Sequence, residues 1–255
     1  MSTNLHASMP TPETELHRPL VCGLQIQNFD CDLREEHLAN GFMILGTLGC
    51  FVRTSDGVPA LLSNNHIVGG ENSGILEQDR ILQPGRGIFD ANGHVAVLHD
   101  FVPLATSAPG ATPAKGDAAA NVIDAAIARL LSNVPFKTGY LPARPLPAPA
   151  GSAPAIPGDR VIKVGHATGM TRGIVTDVST VVGPVKYDSG PCWFYRSIVV
   201  EGLDGSAFSD HGDSGSVVLR DPTGEVIGLV YSGNSEQTFV CPIDEVLRAL
   251  NCTLM

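Results

Sequence analysis

The chain has 255 residues, carries a formal charge of −10 and contains 28 glycines and 19 prolines. That length allows two ordinary domains or one double unit with a substantial core, and the Gly and Pro content favours short strands and turns over long helices. The acidity excludes a nucleic-acid partner, because no basic face is available for phosphate, and otherwise implies only solubility.

Met1 to Pro19 is polar and proline-bearing, and Leu20 to Ile26 is too short and interrupted for a signal core. Neither a secretion signal nor a membrane span is expected, which points to a cytoplasmic protein. The six cysteines, at 22, 31, 50, 192, 241 and 252, match no disulfide framework and no C-x-x-C pattern. Reduced thiols are expected.

In chain order, Phe42 to Val52 forms an apolar run, Ser55-Asp56-Gly57 a turn signal, and Pro59 to Ser63 a second strand that delivers His66. Glycines inside the first run suit a tightly curved strand. Further strands are expected at Ile81 to Pro84 and His94 to Leu104. Ala105 to Ala120 reads as an exposed insertion. Leu141 to Ala150 is too rich in proline to pair as a central strand and reads as a stiff connector. The second half restarts with Val161 to Gly165 and Gly173 to Val182, then repeats strand, turn and strand from Ser216 to Tyr231. Pro242 to Leu250 is the one convincing helix, with Val246, Leu247 and Leu250 on one face. The resulting division is an N-terminal extension at 1–40, a first β unit at 41–138, a connector at 139–158 and a second β unit at 159–255.

Three short stretches carry chemistry. Gly212-Asp213-Ser214-Gly215-Ser216 flanks a serine with glycines, His66 follows Ser63-Asn64-Asn65, and Asp124 interrupts the apolar Val122 to Ala128. A Gly-Asp-Ser-Gly alone is equally a hairpin turn, and a single histidine is usually structural. An aspartate among apolar residues, however, needs buried donors, and a histidine Nδ1–H with its backbone would supply them. Base, carboxylate and nucleophile in the order His, Asp, Ser are the parts of acyl transfer. An α/β-hydrolase has the order Ser, acid, His on G-x-S-x-G, whereas Ser216 stands here at the final glycine. The remaining histidines show no metal-ligand spacing, and neither a metal nor a cofactor is expected.

Taken together, these motifs resemble those of chymotrypsin-fold serine proteases, in their bacterial trypsin-like branch, over roughly residues 41 to 250. Lys163 to Gly173 is similar to the family's Gly-Arg-Thr-Thr-Gly stretch, with His166 for the arginine and Ala167 for a threonine. Gly228 to Gly233 resembles the strand that lines the substrate backbone. The resemblance implies an all-β fold of two six-stranded antiparallel barrels with a C-terminal helix. It implies a serine endopeptidase with His66, Asp124 and Ser214 as triad and the N–H groups of Gly212 and Ser214 as oxyanion hole. The cysteines that tie the histidine and nucleophile loops in secreted members are replaced by Ile67 and Asp210. Tyr231 stands where the family has a serine bonded to the triad aspartate.

The resemblance further implies that the base of the primary pocket lies near Phe208, six residues before Ser214, with Gly233 on one wall; His211 is expected at the mouth or exposed. Together with Tyr231, these form the expected substrate-binding set, selecting against basic side chains. Lys163 is expected to pair with a buried Asp213, so that no zymogen cleavage is needed. Partners are then a protein or peptide substrate, with no nucleic acid or membrane and with self-association left open. The alternatives are a protease-like scaffold without turnover and an esterase-like hydrolase.

Overall fold

The structure, a computed structural model, describes residues 11–34, 43–85, 91–108, 110–117 and 119–255. Gly41 and Phe42, which open the first apolar run and the first β unit, lie outside these residues.

The strands of the first half are β1 (Gln25–Asn28), β2 (Leu45–Thr47), β3 (Cys50–Thr54), β4 (Pro59–Ser63), β5 (Arg80–Leu82), β6 (His94–Phe101), β7 (Ala120–Asn121) and β8 (Ala126–Leu130). Those of the second are β9 (Arg160–Gly165), β10 (Gly169–Tyr187), β11 (Gly190–Gly202), β12 (Val217–Arg220), β13 (Val226–Gly233), β14 (Gln237–Pro242) and β15 (Cys252–Leu254). A four-residue turn of helix, α1 (Phe29–Asp32), follows β1, and α2 (Ile243–Ala249) follows β14. The fold is all-β in two barrel-like halves with a C-terminal helix.

Among the described residues, one sheet has eight strands in the order β15-β3-β4-β8-β6-β5-β1-β2 and the other seven, β10-β9-β12-β13-β14-β11-β7. A β10–β11 ladder joins the ends of the second sheet, leaving β7 outside a closed ring of six. The expectation of six strands per barrel therefore fits this ring, while the first half recruits more. Gln25–Asn28, assigned to an extension from sequence, pairs with both β2 and β5. The chain's end returns as β15 to pair with β3.

The first apolar run is not one strand, because β2 and β3 are separated at Leu48 and Gly49. A Cβ at Gly49 would stand 2.3 Å from the Gly215 carbonyl, so the chain passes backbone to backbone against the Gly212-to-Ser216 loop. In β9 every residue after Arg160 is buried, the pattern of a strand covered on both faces, and Lys163 lies in its middle. The β10–β11 hairpin runs well beyond the Gly173 to Val182 expected from sequence, with register shifts along its ladder. Val246 and Leu250 of the helical segment are buried against the core, as their spacing implies, and Leu247 is partly so.

The 139–158 stretch forms no strand; it runs beside the second barrel, Ala150 N–H donating to Gly224 and Val226 N–H to Gly151. No helix among the described residues is long and apolar enough to cross a membrane. All six cysteines are buried.

Candidate active site

Strand β4 ends at Ser63, and the chain turns through Asn64 into a π-type turn, Asn65–Gly69, closed by Gly70 at φ 56°. This turn brings His66 over Asp124, whose side chain has no exposed area. The carboxylate is an acceptor only, so His66 Nδ1 donates to Oδ2 and leaves Nε2 facing the cleft. The His66 backbone N–H reaches Oδ1 at 3.2 Å. The Asn64 side chain donates to the Asp124 carbonyl at 2.7 Å, which fixes the backbone behind the carboxylate. These are the donors the apolar surroundings of Asp124 required. A further one was not foreseen: the Tyr187 hydroxyl, from the end of β10, donates to Oδ2 at 2.8 Å.

The loop from Gly212 to Ser216 is built on two glycines in the left-handed region. Gly212 has φ 103° and Gly215 φ 91°. A Cβ at 212 would stand 2.7 Å from the His166 ring, and one at 215 would stand 2.3 Å from both Ser63 Oγ and the Thr47 carbonyl. The loop is tied to the first half by Thr47, whose N–H donates to the Ser214 carbonyl at 2.8 Å and whose hydroxyl donates to the Gly212 carbonyl at 2.9 Å. Ser216, the departure from the family's glycine, donates through Oγ to the Asp213 carbonyl at 2.6 Å and tightens the same turn.

Asp213 points inward. Its Oδ2 lies 3.0 Å from Lys163 Nζ, and both side chains have no exposed area. The Thr168 hydroxyl donates to Oδ2 at 2.6 Å, the Asp210 N–H at 3.0 Å, and the Ala167 and Thr168 N–H groups reach Oδ1. Burial alone would raise this carboxyl; Lys163, Thr168 and Asp210 outweigh it and hold it below the ordinary carboxylate value. Burial lowers the Lys163 ammonium, against the pull of Asp213. A Cβ at Gly165 would meet Asp213 Oδ1 at 2.3 Å, which explains the glycine that opens this stretch.

His66, Ser214, His211 and Gly233 line one cleft of about 660 Å³. Among the described residues no hydrogen bond joins Ser214 Oγ to the imidazole. His211 is exposed at the cleft.

One expected substrate residue is placed otherwise. Phe208 is 2% exposed and packs in the second-barrel core with Val161, Val175, Ile198, Val200 and Val218, its ring 5.8 Å from Lys163 Nζ. Its neighbours Ala207 and Ser209 face the cleft instead. The resemblance fixed the position along the loop but not which way the ring turns, and a phenyl ring gains about 1.5–3 kcal/mol by burial. Tyr231 borders the cleft, but its side chain is buried and its hydroxyl pairs with Ser197 Oγ at 2.8 Å, not with Asp124. Sequence reasoning also missed Thr47, Thr168 and Glu71. The last lines the cleft and accepts from the Asp188 and Ser189 N–H groups at the hairpin tip.

The trypsin-like peptidase domain profile matches residues 47–229. A search of curated proteins finds no match. Among solved structures, the fold is similar to a Nocardiopsis protease at 17% identity and a TM-score of 0.59, over 92% of this chain and 97% of that one. It is similar to Thermobifida fusca protease A at 15% identity and a TM-score of 0.56, over 83% and 91%. A glutamic-acid-specific serine protease, described as using a histidine triad in substrate binding, shares 19% identity and a TM-score of 0.58, over 92% and 100%. At these identities the likeness is one of fold.

Proposed function

The chain belongs to the trypsin-like peptidase family, and we propose that within it the protein is a serine endopeptidase acting through an acyl-enzyme. In this reading Ser214 Oγ attacks the scissile carbonyl while His66 Nε2 takes its proton. The imidazole then returns that proton to the leaving amine. Asp124 fixes the tautomer with Nδ1–H inward and stabilises the imidazolium that forms. The N–H groups of Gly212 and Ser214 bind the oxyanion; one such donor is worth about 3 kcal/mol in related chemistry. Water then enters on the same face and, with His66 as base, releases the acyl product. The observation that carries the reading is the Nδ1–H to Oδ2 bond between His66 and the buried Asp124, at the edge of the cleft that Ser214 lines.

The Lys163–Asp213 pair is the proposed means of holding the oxyanion loop ready without a new amino terminus. It is supported by the full burial of both groups, since an isolated buried charge would neutralise or unfold its surroundings. The first substrate side chain is proposed to be uncharged, not basic. A Lys or Arg needs a free buried carboxylate. The lining carboxylates are Glu71 and Asp210, which already accept backbone N–H groups, and an exposed Asp188.

Digestion of a mixed peptide library by the wild-type protein and by Ser214→Ala tests this function. Internal peptide bonds should be cut by the first alone, with cleavage after Lys or Arg rare. Ester hydrolysis without peptide cleavage would favour the esterase alternative, and no turnover of either would favour a scaffold.

A further inference from the structure

Asp124 receives more support than a His-Asp pair alone provides, and the extra donor comes from the other half of the molecule. Tyr187 is the last residue of β10, at the tip of the hairpin that runs out from the second barrel. Its hydroxyl meets the same Oδ2 that accepts from His66 Nδ1, and the two rings lie 5.4 Å apart between centroids. Tyr187 is partly buried; the burial of its phenol and then the Asp124 charge push its pKa well up, so it keeps its proton and acts as a donor.

The hairpin tip is seated on the histidine loop. Glu71 accepts from Asp188 N–H at 3.2 Å and Ser189 N–H at 2.7 Å. It is presented by two successive non-glycine residues in the left-handed region, Glu71 at φ 50° and Asn72 at φ 77°. Such backbone is sparsely populated and persists only where surrounding bonds over-determine it. Here they do. Asn65 Nδ2 donates to Asn72 Oδ1 at 2.8 Å, Asn72 N–H returns to Asn65 Oδ1 at 3.1 Å, and Asn72 Nδ2 donates to the Leu104 carbonyl at 2.9 Å. The strained turn lies directly after the base and holds the tip that carries Tyr187.

We propose that Tyr187 is a positioning residue for the reaction, holding the Asp124 carboxylate against His66, and that Glu71 is the docking point that seats it. The role rests on the serine-protease reading above. It accounts for Tyr231 turning away to Ser197: the second donor to the aspartate comes from the hairpin, not from β13. It also makes the catalytic pair depend on a contact between the two halves.

The test is Tyr187→Phe, which keeps the ring and removes the hydroxyl, read by the low-field NMR resonance of the His66 Nδ1 proton and by steady-state kinetics. With one donor gone from Oδ2, more of the oxygen's charge is left for Nδ1–H, and the resonance should move downfield. In the kinetics kcat should fall roughly ten- to hundredfold with KM little changed, the effect of losing a hydrogen bond to a charged group. Glu71→Ala, which leaves Tyr187 in place but frees the tip, should move both readouts in the same directions and serves if Tyr187→Phe does not fold. An unmoved resonance in a folded variant would overturn the proposal. The NMR readout needs no turnover. A shift in a protein that cuts no peptide would support Tyr187 while removing the protease reading.

Discussion

Lys163 Nζ lies 3.0 Å from Asp213 Oδ2 inside the second barrel, and neither side chain has any exposed area. The pair stands directly behind the turn that bears Ser214, and Thr168 bridges it, accepting from Nζ and donating to Oδ2 at 2.6 Å each. Replacing Lys163 by Met would strand the carboxylate. Loss of one partner of a buried pair costs about 3–5 kcal/mol, and the variant should lose activity together with that stability.

The same pair sets an acid limit. The Asp213 carboxyl is held below its ordinary value, so its contribution is complete above the unfolded value of about 3.9 and is lost as pH falls through the lower folded value. In Lys163→Met the chief opposing charge is gone and burial raises the carboxyl. The acid-unfolding midpoint, followed by circular dichroism, should therefore move to higher pH. An unchanged midpoint would mean that the pair does not govern the acid transition.

Gly212→Ala should separate function from folding. The new methyl must stand 2.7 Å from the His166 ring at a φ of 103°, so the loop can accept it only by turning its N–H groups. Loss of an oxyanion donor lowers kcat by about 10²–10³, while the backbone strain costs about 1–2 kcal/mol. A variant that melts a few degrees lower but turns over normally would contradict the role given to Gly212.

Phe208→Ala is expected to act through the core. Truncating a buried phenylalanine costs about 3–5 kcal/mol, and the preference for the first substrate side chain should persist because the ring faces Val200 and Lys163, away from the cleft. A library digest in which that preference changes at unchanged melting temperature would return Phe208 to the pocket.

The parts that were legible in the sequence share a physical reason. His66, Asp124 and Ser214 each stand in a short local stretch that resembles the family's, and Lys163 was placed through the same resemblance, two residues before Gly165. Tyr187 was not legible. Its distance from Asp124 depends on the length of β10 and on register shifts between β10 and β11, which no local pattern encodes. Strands β1 and β15 were missed for a related reason. Each is only three or four residues long, and β15 pairs with a strand at the opposite end of the chain. Phe208 was placed correctly along the chain but not in direction, because an apolar ring follows the core.

The central claim is that Ser214 is a nucleophile activated by His66. The most direct measurement is reaction of the wild-type protein with a fluorophosphonate, followed by peptide mapping of the adduct by mass spectrometry. The account predicts one stoichiometric adduct on the peptide containing Ser214, absent from Ser214→Ala and formed far more slowly by His66→Ala. A folded wild-type protein that forms no adduct, or forms it equally well without His66, would contradict it.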